Sequence, residues 1–248
     1  MKVVLTGEGS DELFGGYERY RWTRWNLRGG QAWSHAPAPL RRGLARGLAN
    51  TSLLRADVRR KFRHTFLGRE ANIESLLLEN FYFAFSSHDA AALLRAPGNP
   101  IFDSYLHFWN SRPADSPLRR MLYADQKTYL VELLMKQDQM SMACSIESRV
   151  PFLDHHLVEF AATLEDSVKI RGREQKFVLK KAVEDLLPRN IVYRKKMGFP
   201  TPLKAWLRDP AMQPLLRSLL DRDGVLAAYL DLKLVQALVS SLGYVRGE

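Results

Sequence analysis

A single cysteine, Cys144, stands in a chain of 248 residues, which excludes an internal disulfide framework and a thiolate zinc cluster. No apolar run approaches the ~20 residues that a membrane-spanning helix needs. The opening residues, Met1 to Leu5, carry no basic stretch followed by a long apolar one. No signal peptide is therefore expected, and a reducing cytoplasm is the expected setting. Internal repeats and low-complexity tracts are missing as well. What is present is ordinary for a folded protein, with 46% hydrophobic and 26% charged residues, so disorder across the whole chain is excluded.

Acidic residues are in deficit. Lys and Arg number 37 against 27 Asp and Glu, a formal net charge of +10. Such a balance can serve nucleic acid through phosphate neutralisation. The first basic cluster, Arg41 to Arg69, interleaves Leu44, Leu48, Leu53, Leu54 and Phe62 at helical spacing and offers no Trp or Tyr stacking platform. It reads as a solvated amphipathic helix pair rather than a nucleic-acid surface. The second cluster, Arg171 to Arg208, lies on glycine-bearing turns and points elsewhere.

Lys2-Val3-Val4-Leu5-Thr6 is β-branched and apolar, and Gly7 stops it. It predicts a buried strand of parallel-sheet type. The following Gly7-Glu8-Gly9-Ser10 predicts a tight loop, with Ser10 or Asp11 capping a helix. After residue 7, strand signals nearly vanish. A loop is expected over 29–39, from Gly29, Gly30, Pro37 and Pro39. Helical spacing marks 40–63, 70–86, 88–95, 101–110, 117–147, 155–163, 174–187, 202–207, 211–220 and 231–242. The expectation is a mostly helical chain with an almost lone strand, whose unpaired backbone groups call for neighbours from a preceding segment or a partner chain.

Three segments concentrate chemistry. In Leu5-Thr6-Gly7-Glu8-Gly9-Ser10-Asp11-Glu12-Leu13-Phe14-Gly15-Gly16-Tyr17 three carboxylates crowd a glycine-rich turn, a composition that suits Mg²⁺ shared with a phosphate. In the second, Met135, Met140, Met142 and Ile146 form a roughly helical stripe that reads as buried. Glu147 and Arg149 cannot share a helix face, so a helix end and a structural ion pair are expected before Pro151. In the third, a glycine turn at Gly172 leads to Lys176 in the first turn of a helix, where a cation opposes the dipole unless a polyanion is bound. Lys196 sits beside Gly198-Phe199-Pro200, on a loop. Lys180 and Lys181 read as a solvated face.

The strings LTGEGSDELFGGYERY, MSMACSIESRVPFLDH, GREQKFVLKKAV and RKKMGFPTPLKAWL closely resemble, in the same order, those of the asparagine synthetase family. The similarity runs from about residue 2 to residue 208 and is loose between 25 and 115. The resemblance implies an α/β synthetase domain of the ATP-pyrophosphatase type, with residues 1–248 as its C-terminal portion. The family's Ser-Gly-Gly-x-Asp-Ser phosphate loop and its N-terminal glutaminase domain have no counterpart in the chain, so the chain by itself is expected to be inactive.

The chemistry implied is ATP-dependent. Aspartate attacks the α-phosphate of ATP to give β-aspartyl-AMP, and ammonia, derived from glutamine in complete members, displaces AMP. By the resemblance, Thr6 and Gly7 line the adenylate pocket, Glu8 handles the substrate and ammonium protons, and Asp11 holds Mg²⁺. Lys176 meets the α-phosphate, Lys196 the pyrophosphate, and Glu132 is the acidic residue of the helix before Lys136-Gln137-Asp138. Gln139 stands where many relatives have Arg, which leaves the role of Asp138 open. An amidotransferase for another carboxylate, and a non-catalytic split-protein or nucleic-acid-binding module, are the alternatives.

Overall fold

The computed structural model describes residues 2–50, 55–83, 85, 87–96, 102–196 and 201–241. They fall into two units, residues 1–82 with 102–194, and residues 83–101 with 195–248. In the first unit β1 (Lys2–Leu5) leads to α1 (Ser10–Phe14), α2 (Glu18–Ser34), α3 (Ala38–Asn50) and α4 (Ala56–Arg63). A π-helical turn, Glu74–Leu78, runs into α5 (Glu79–Phe81). The second unit takes α6 (Ser87–Leu93). The first unit then resumes with α7 (Asp103–Asn110), α8 (Pro117–Lys127), α9 (Tyr129–Ala143), β2 (Ile146–Arg149), α10 (His155–Thr163), α11 (Asp166–Lys169), α12 (Phe177–Ala182) and α13 (Arg189–Val192).

The expected lone strand has a partner. β2 pairs with β1 in parallel register, from Lys2 opposite Ile146 to Leu5 opposite Arg149. A chain with one β-branched residue in four gave no strand signal there, and the pairing is made by tertiary contact rather than by propensity. Glu147 and Arg149 form the expected ion pair. Being two apart on a strand, they share a face. Val3, Val4 and Leu5 are exposed, Leu5 at 71%. That corrects the buried-strand reading, because among the described residues β2 is the only strand beside β1.

Two further expectations fail for identifiable reasons. The loop at 29–39 begins only after Ser34, since α2 runs through both glycines. A Cβ on Gly29 would lie 2.5 Å from the Phe66 ring, and one on Gly30 would lie 2.2 Å from the Ala71 Cβ. These glycines admit a neighbouring segment to the helix; they do not end it. The helix expected over 117–147 is broken at Thr128, where φ −125° and ψ −80° leave the helical region and the hydroxyl donates back to the Ala124 carbonyl at 2.7 Å. The methionine stripe is not buried. Met135, Met140 and Met142 are exposed, Met140 at 66%, so their spacing marks an uncovered apolar face of α9. Within the expected helix over 40–63, residues 51–54 lie outside the described residues, as do residues 84 and 86 of 70–86, Ile101 of 101–110 and Leu242 of 231–242.

The main core gathers Tyr20 and Leu27 of α2, Leu76, Leu77 and Leu78 of the π turn, Tyr105 and Trp109 of α7, and Leu118, Met121 and Leu122 of α8. At its centre lies a carboxylate. Asp125 is fully buried. It accepts from the Tyr82 hydroxyl at 2.5 Å, from the Tyr20 hydroxyl and from Arg19 Nη2 at 2.8 Å. The Arg19 guanidinium is enclosed by the rings of Tyr17, Tyr129 and Tyr82 at 4.0, 4.6 and 4.7 Å. Burial alone lowers the guanidinium's pKa, and Asp125, with Tyr20 and Tyr82, together more than offset it, so the charge is held firmly. Burial first, and Asp125 next, push the Tyr20 and Tyr82 phenols well up, which keeps both as donors.

A second, smaller cluster sets Leu13 and Phe14 of α1 against Leu157, Val158 and Ala161 of α10 and Val178 and Leu179 of α12. The second unit comprises α6 with α14 (Leu203–Arg208), α15 (Gln213–Ser218), α16 (Leu226–Tyr229) and α17 (Leu232–Ser241). It is tied internally by the Arg95 and Asp231 amides, which donate to the Tyr229 and Leu93 carbonyls at 2.9 and 2.8 Å. No helix among the described residues is long and apolar enough to cross a membrane.

Because removing Asp125 strands the Arg19 charge in the core, Asp125→Ala is expected to cost about 3–5 kcal/mol of stability. Urea unfolding followed by tryptophan fluorescence measures this. A cost under about 1 kcal/mol would show that the network does not hold the unit together.

Candidate functional site

Beyond β1 the chain turns through Gly7 and Glu8 into α1. The Thr6 amide extends the strand pairing by donating to the Arg149 carbonyl at 2.9 Å. Gly9 lies in the left-handed region at φ +87°, and a Cβ there would come within 2.3 Å of Leu153. Glycine therefore serves both the turn and the close approach. Neither Ser10 nor Asp11 caps α1, contrary to expectation. Gly9 takes the cap position, and the Ser10 hydroxyl donates back to the Gly7 carbonyl at 2.8 Å.

Ahead of α12, Arg171 and Glu174 exchange backbone hydrogen bonds at 2.9 Å across a turn at Gly172. Lys176 is not in the first turn of α12 as expected. It sits one position earlier, at φ +52° and ψ +37°, a left-handed conformation that costs a lysine about 1 kcal/mol. The Leu13–Phe14 contact with Val178 and Leu179 then brings the start of α12 to the start of α1. Lys176 Nζ lies 2.9 Å from Asp11 Oδ1 and donates to Ser10 Oγ at 2.8 Å. Both side chains stay partly open, at 20% for Asp11 and 23% for Lys176.

Of the other expected site residues, Thr6 and Glu8 are half-buried in or beside the turn and Gly7 is open, with no atom within 4 Å of a Cβ position. Glu132 stands exposed in the first turn of α9. Lys196 is exposed, belongs to the second unit, and follows α13 outside any helix. The Gly198-Phe199-Pro200 turn beside it lies outside the described residues. Lys180 and Lys181, expected on a solvated face, pair with Glu174 at 3.2 Å and with Glu184 at 2.7 Å.

Two participants escaped the sequence reading. Gln137 of α9 donates through Nε2 to Thr6 Oγ1 at 2.7 Å and to Ser148 Oγ, stapling α9 across β1 and β2. It was visible only as the middle residue of Lys136-Gln137-Asp138, with nothing to pair it with residue 6. Glu12, next to Asp11, is fully buried and accepts from the Tyr17 hydroxyl at 2.7 Å. Its side chain turns into the protein and cannot join Asp11 at the turn.

The described residues contain no group of three or more His, Cys, Asp or Glu able to hold a metal ion between them. A single carboxylate beside a cation and a glycine turn fits a different use, a Mg²⁺ that draws its remaining ligands from phosphate and water. Asp11 and Lys176 thus form a charge pair at the head of a parallel strand, where α/β proteins place ligands.

The asparagine synthase family matches the chain over residues 1–244. The chain belongs to the asparagine synthase family. A Mycobacterium tuberculosis protein, provisionally named a glutamine-hydrolysing asparagine synthetase, is 34% identical over 222 residues, covering 84% of this chain and 31% of its own length. Glutamine-hydrolysing asparagine synthetase 1 of Bacillus subtilis is 30% identical over 219 residues, covering 84% and 32%. An amidase of Gibberella zeae is 25% identical over 243 residues, covering 85% and 33%. This chain thus spans about a third of the length of the curated relatives it matches. No solved structure matches it. Within the family, the segment carries the acidic glycine turn and the lysine-bearing α12 start together, on one unit.

Burial raises the Glu12 carboxyl above its usual range, and the Tyr17 hydrogen bond only partly opposes this. The folded chain therefore holds this proton more tightly than the unfolded chain does. Folding takes up a proton between the two pKa values, so Glu12's contribution to stability is lost as pH rises through that window. The Glu12→Gln variant is expected to flatten stability against pH just above the ordinary carboxylate range. Melting temperatures across pH 4 to 7 (roughly the span in which a raised carboxyl titrates) check it, and identical profiles for the two proteins would contradict it.

Proposed function

We propose that this segment supplies the acidic and basic walls of an ATP-dependent, amide-forming site, with aspartate as acyl substrate and ammonia as nucleophile. The observation that carries it is the Asp11–Lys176 pair at 2.9 Å, which joins two glycine turns 165 positions apart in the chain. Family membership supports asparagine synthesis in general, and the finer assignment is our reading. The fold is read as part of an ATP-pyrophosphatase-like α/β domain, with residues 1–248 as a C-terminal portion of a synthetase domain.

The residues take these roles. ATP would supply the electrophilic α-phosphate: the aspartate carboxylate bonds to it as the α–β anhydride breaks and pyrophosphate leaves, giving an acyl-adenylate whose carbonyl carbon ammonia attacks, with AMP departing. Asp11 would hold the Mg²⁺ that accompanies the nucleotide. Lys176 would place its ammonium against the charge that builds on the α-phosphate. Thr6, oriented by Gln137, and the open Gly7 backbone line the adenylate pocket. Glu8 faces substrate and accepts a proton from ammonium. Glu132 completes the set on this unit. A second reading, in which the acyl substrate is another carboxylate, is favoured by the amidase among the relatives.

A chimera in which this chain replaces the corresponding segment of the Bacillus subtilis relative tests the proposal. It is expected to form AMP, pyrophosphate and asparagine from MgATP, aspartate and ammonia. Lys176→Ala is expected to lower kcat by about 10²–10³ with folding unchanged. A folded chimera that forms AMP with another acid and not with aspartate selects the second reading, and one that forms no AMP with any carboxylate overturns both.

A further inference from the structure

Gly16 sits at the end of the acidic turn, and its backbone makes no demand for glycine. Positive φ is found at Gly15, the preceding residue, at +71°, and not at Gly16. What Gly16 lacks room for is a side chain. A Cβ built on it would lie 1.7 Å from Asp11 Oδ1, 2.7 Å from Asp11 Cγ and 2.2 Å from Lys176 Cε. The nearest atoms are thus the two partners of the ion pair themselves. Gly16 is buried, and its amide donates to the Asp11 carbonyl at 2.9 Å, so its own backbone cannot readily move aside.

We propose that Gly16 is a positioning residue of this site: its missing side chain is the space in which the Asp11 carboxylate and the Lys176 stem meet, and its backbone is the floor that sets where the Lys176 ammonium points. Any side chain at 16 pushes the pair apart and releases Lys176 from Ser10 and Asp11. The floor is rigid on both sides. Gly15 is pinned by Ile170, whose Cγ1 lies 2.9 Å from a Cβ position there, and Tyr17 is pinned by its hydrogen bond to Glu12. The stem of Lys176, whose backbone is left-handed, reaches Asp11 over Gly16, with Cε 2.2 Å from a Cβ position there. The bearing of this residue on catalysis rests on the proposed function, whereas its effect on the ion pair does not.

The experiment is a coupling measurement on the full chain. Gly16→Ala is made in the wild-type background and in an Asp11→Ala, Lys176→Ala background, which removes all three close atoms. Gly43→Ala, an open position on α3 with no atom within 4 Å, is the control. In the wild-type background Gly16→Ala is expected to lower the melting temperature by about 3 °C, since the atoms that must yield are the ends of two partly exposed side chains. In the doubly truncated background it is expected to cost less than about 2 °C. Equal cost in both backgrounds, including failure to fold in both, overturns the proposal.

A second readout separates positioning from bulk stability. Competitive acylation with acetic anhydride, read by peptide mass spectrometry, is expected to label Lys176 about tenfold faster when its charge-assisted partners are lost, as in Asp11→Ala and in folded Gly16→Ala. Lys180, paired with Glu174, should be unaffected. Unchanged Lys176 labelling in folded Gly16→Ala overturns the proposal. If coupling and labelling behave as expected while the chimera forms no acyl-adenylate, positioning by Gly16 stands and the proposed function fails.

Discussion

A carboxylate without solvent organises the larger unit. Asp125 is a charge in the middle of an apolar core, tolerable because a guanidinium and two phenols are turned onto it. An unpaired ion there would cost several kcal/mol, so the partners are constrained to arrive together. That requirement ties α2, which brings Arg19 and Tyr20, to α8, which brings Asp125, and to the segment after α5, which brings Tyr82. The apolar side chains around them could pack in several ways. The polar centre admits few, because each donor must meet a particular oxygen.

The candidate site depends on this frame at one remove. α2 starts at Glu18, and only Gly15, Gly16 and Tyr17 separate it from α1, so fixing Arg19 and Tyr20 also fixes the exit from α1. On its other side, the Leu13–Phe14 cluster sets α1 against α12. The Asp11–Lys176 pair follows from where two apolar surfaces meet; by itself, a partly exposed pair contributes little stability. Electrostatics of the site is thus a product of hydrophobic packing, and the pair is available for exchange with ligand because the fold does not need it.

Glycine performs three different tasks within ten residues. At Gly9 and Gly15 it supplies positive φ, at Gly16 it yields space, and at Gly7 neither is required, so that position stays open to whatever occupies the turn. Read as letters, these glycines look alike. Only neighbours from residues 153, 170 and 176 tell them apart.

Much was legible in the chain itself. The strand-like run at Val3–Leu5, the helix start at Pro117, the ion pair of Glu147 with Arg149, and the four ordered strings that carry the family all follow from local residue chemistry, which acts over a few positions; the helix expected to end ahead of Pro151 stops earlier, at Ala143. The failures share one cause. β2, the passage of α2 through Gly29 and Gly30, the break at Thr128, the exposure of the α9 methionines and the left-handed Lys176 each depend on what lies across from the residue, and a one-dimensional pattern holds no record of that. Sequence alone determined which groups are available: an acidic glycine turn and a lysine at the start of a helix. Tertiary structure decided that Asp11 and Lys176 meet while Glu12 turns inward, because the apolar faces of α1 and α12 find each other and the Tyr17 hydroxyl holds Glu12 in the protein.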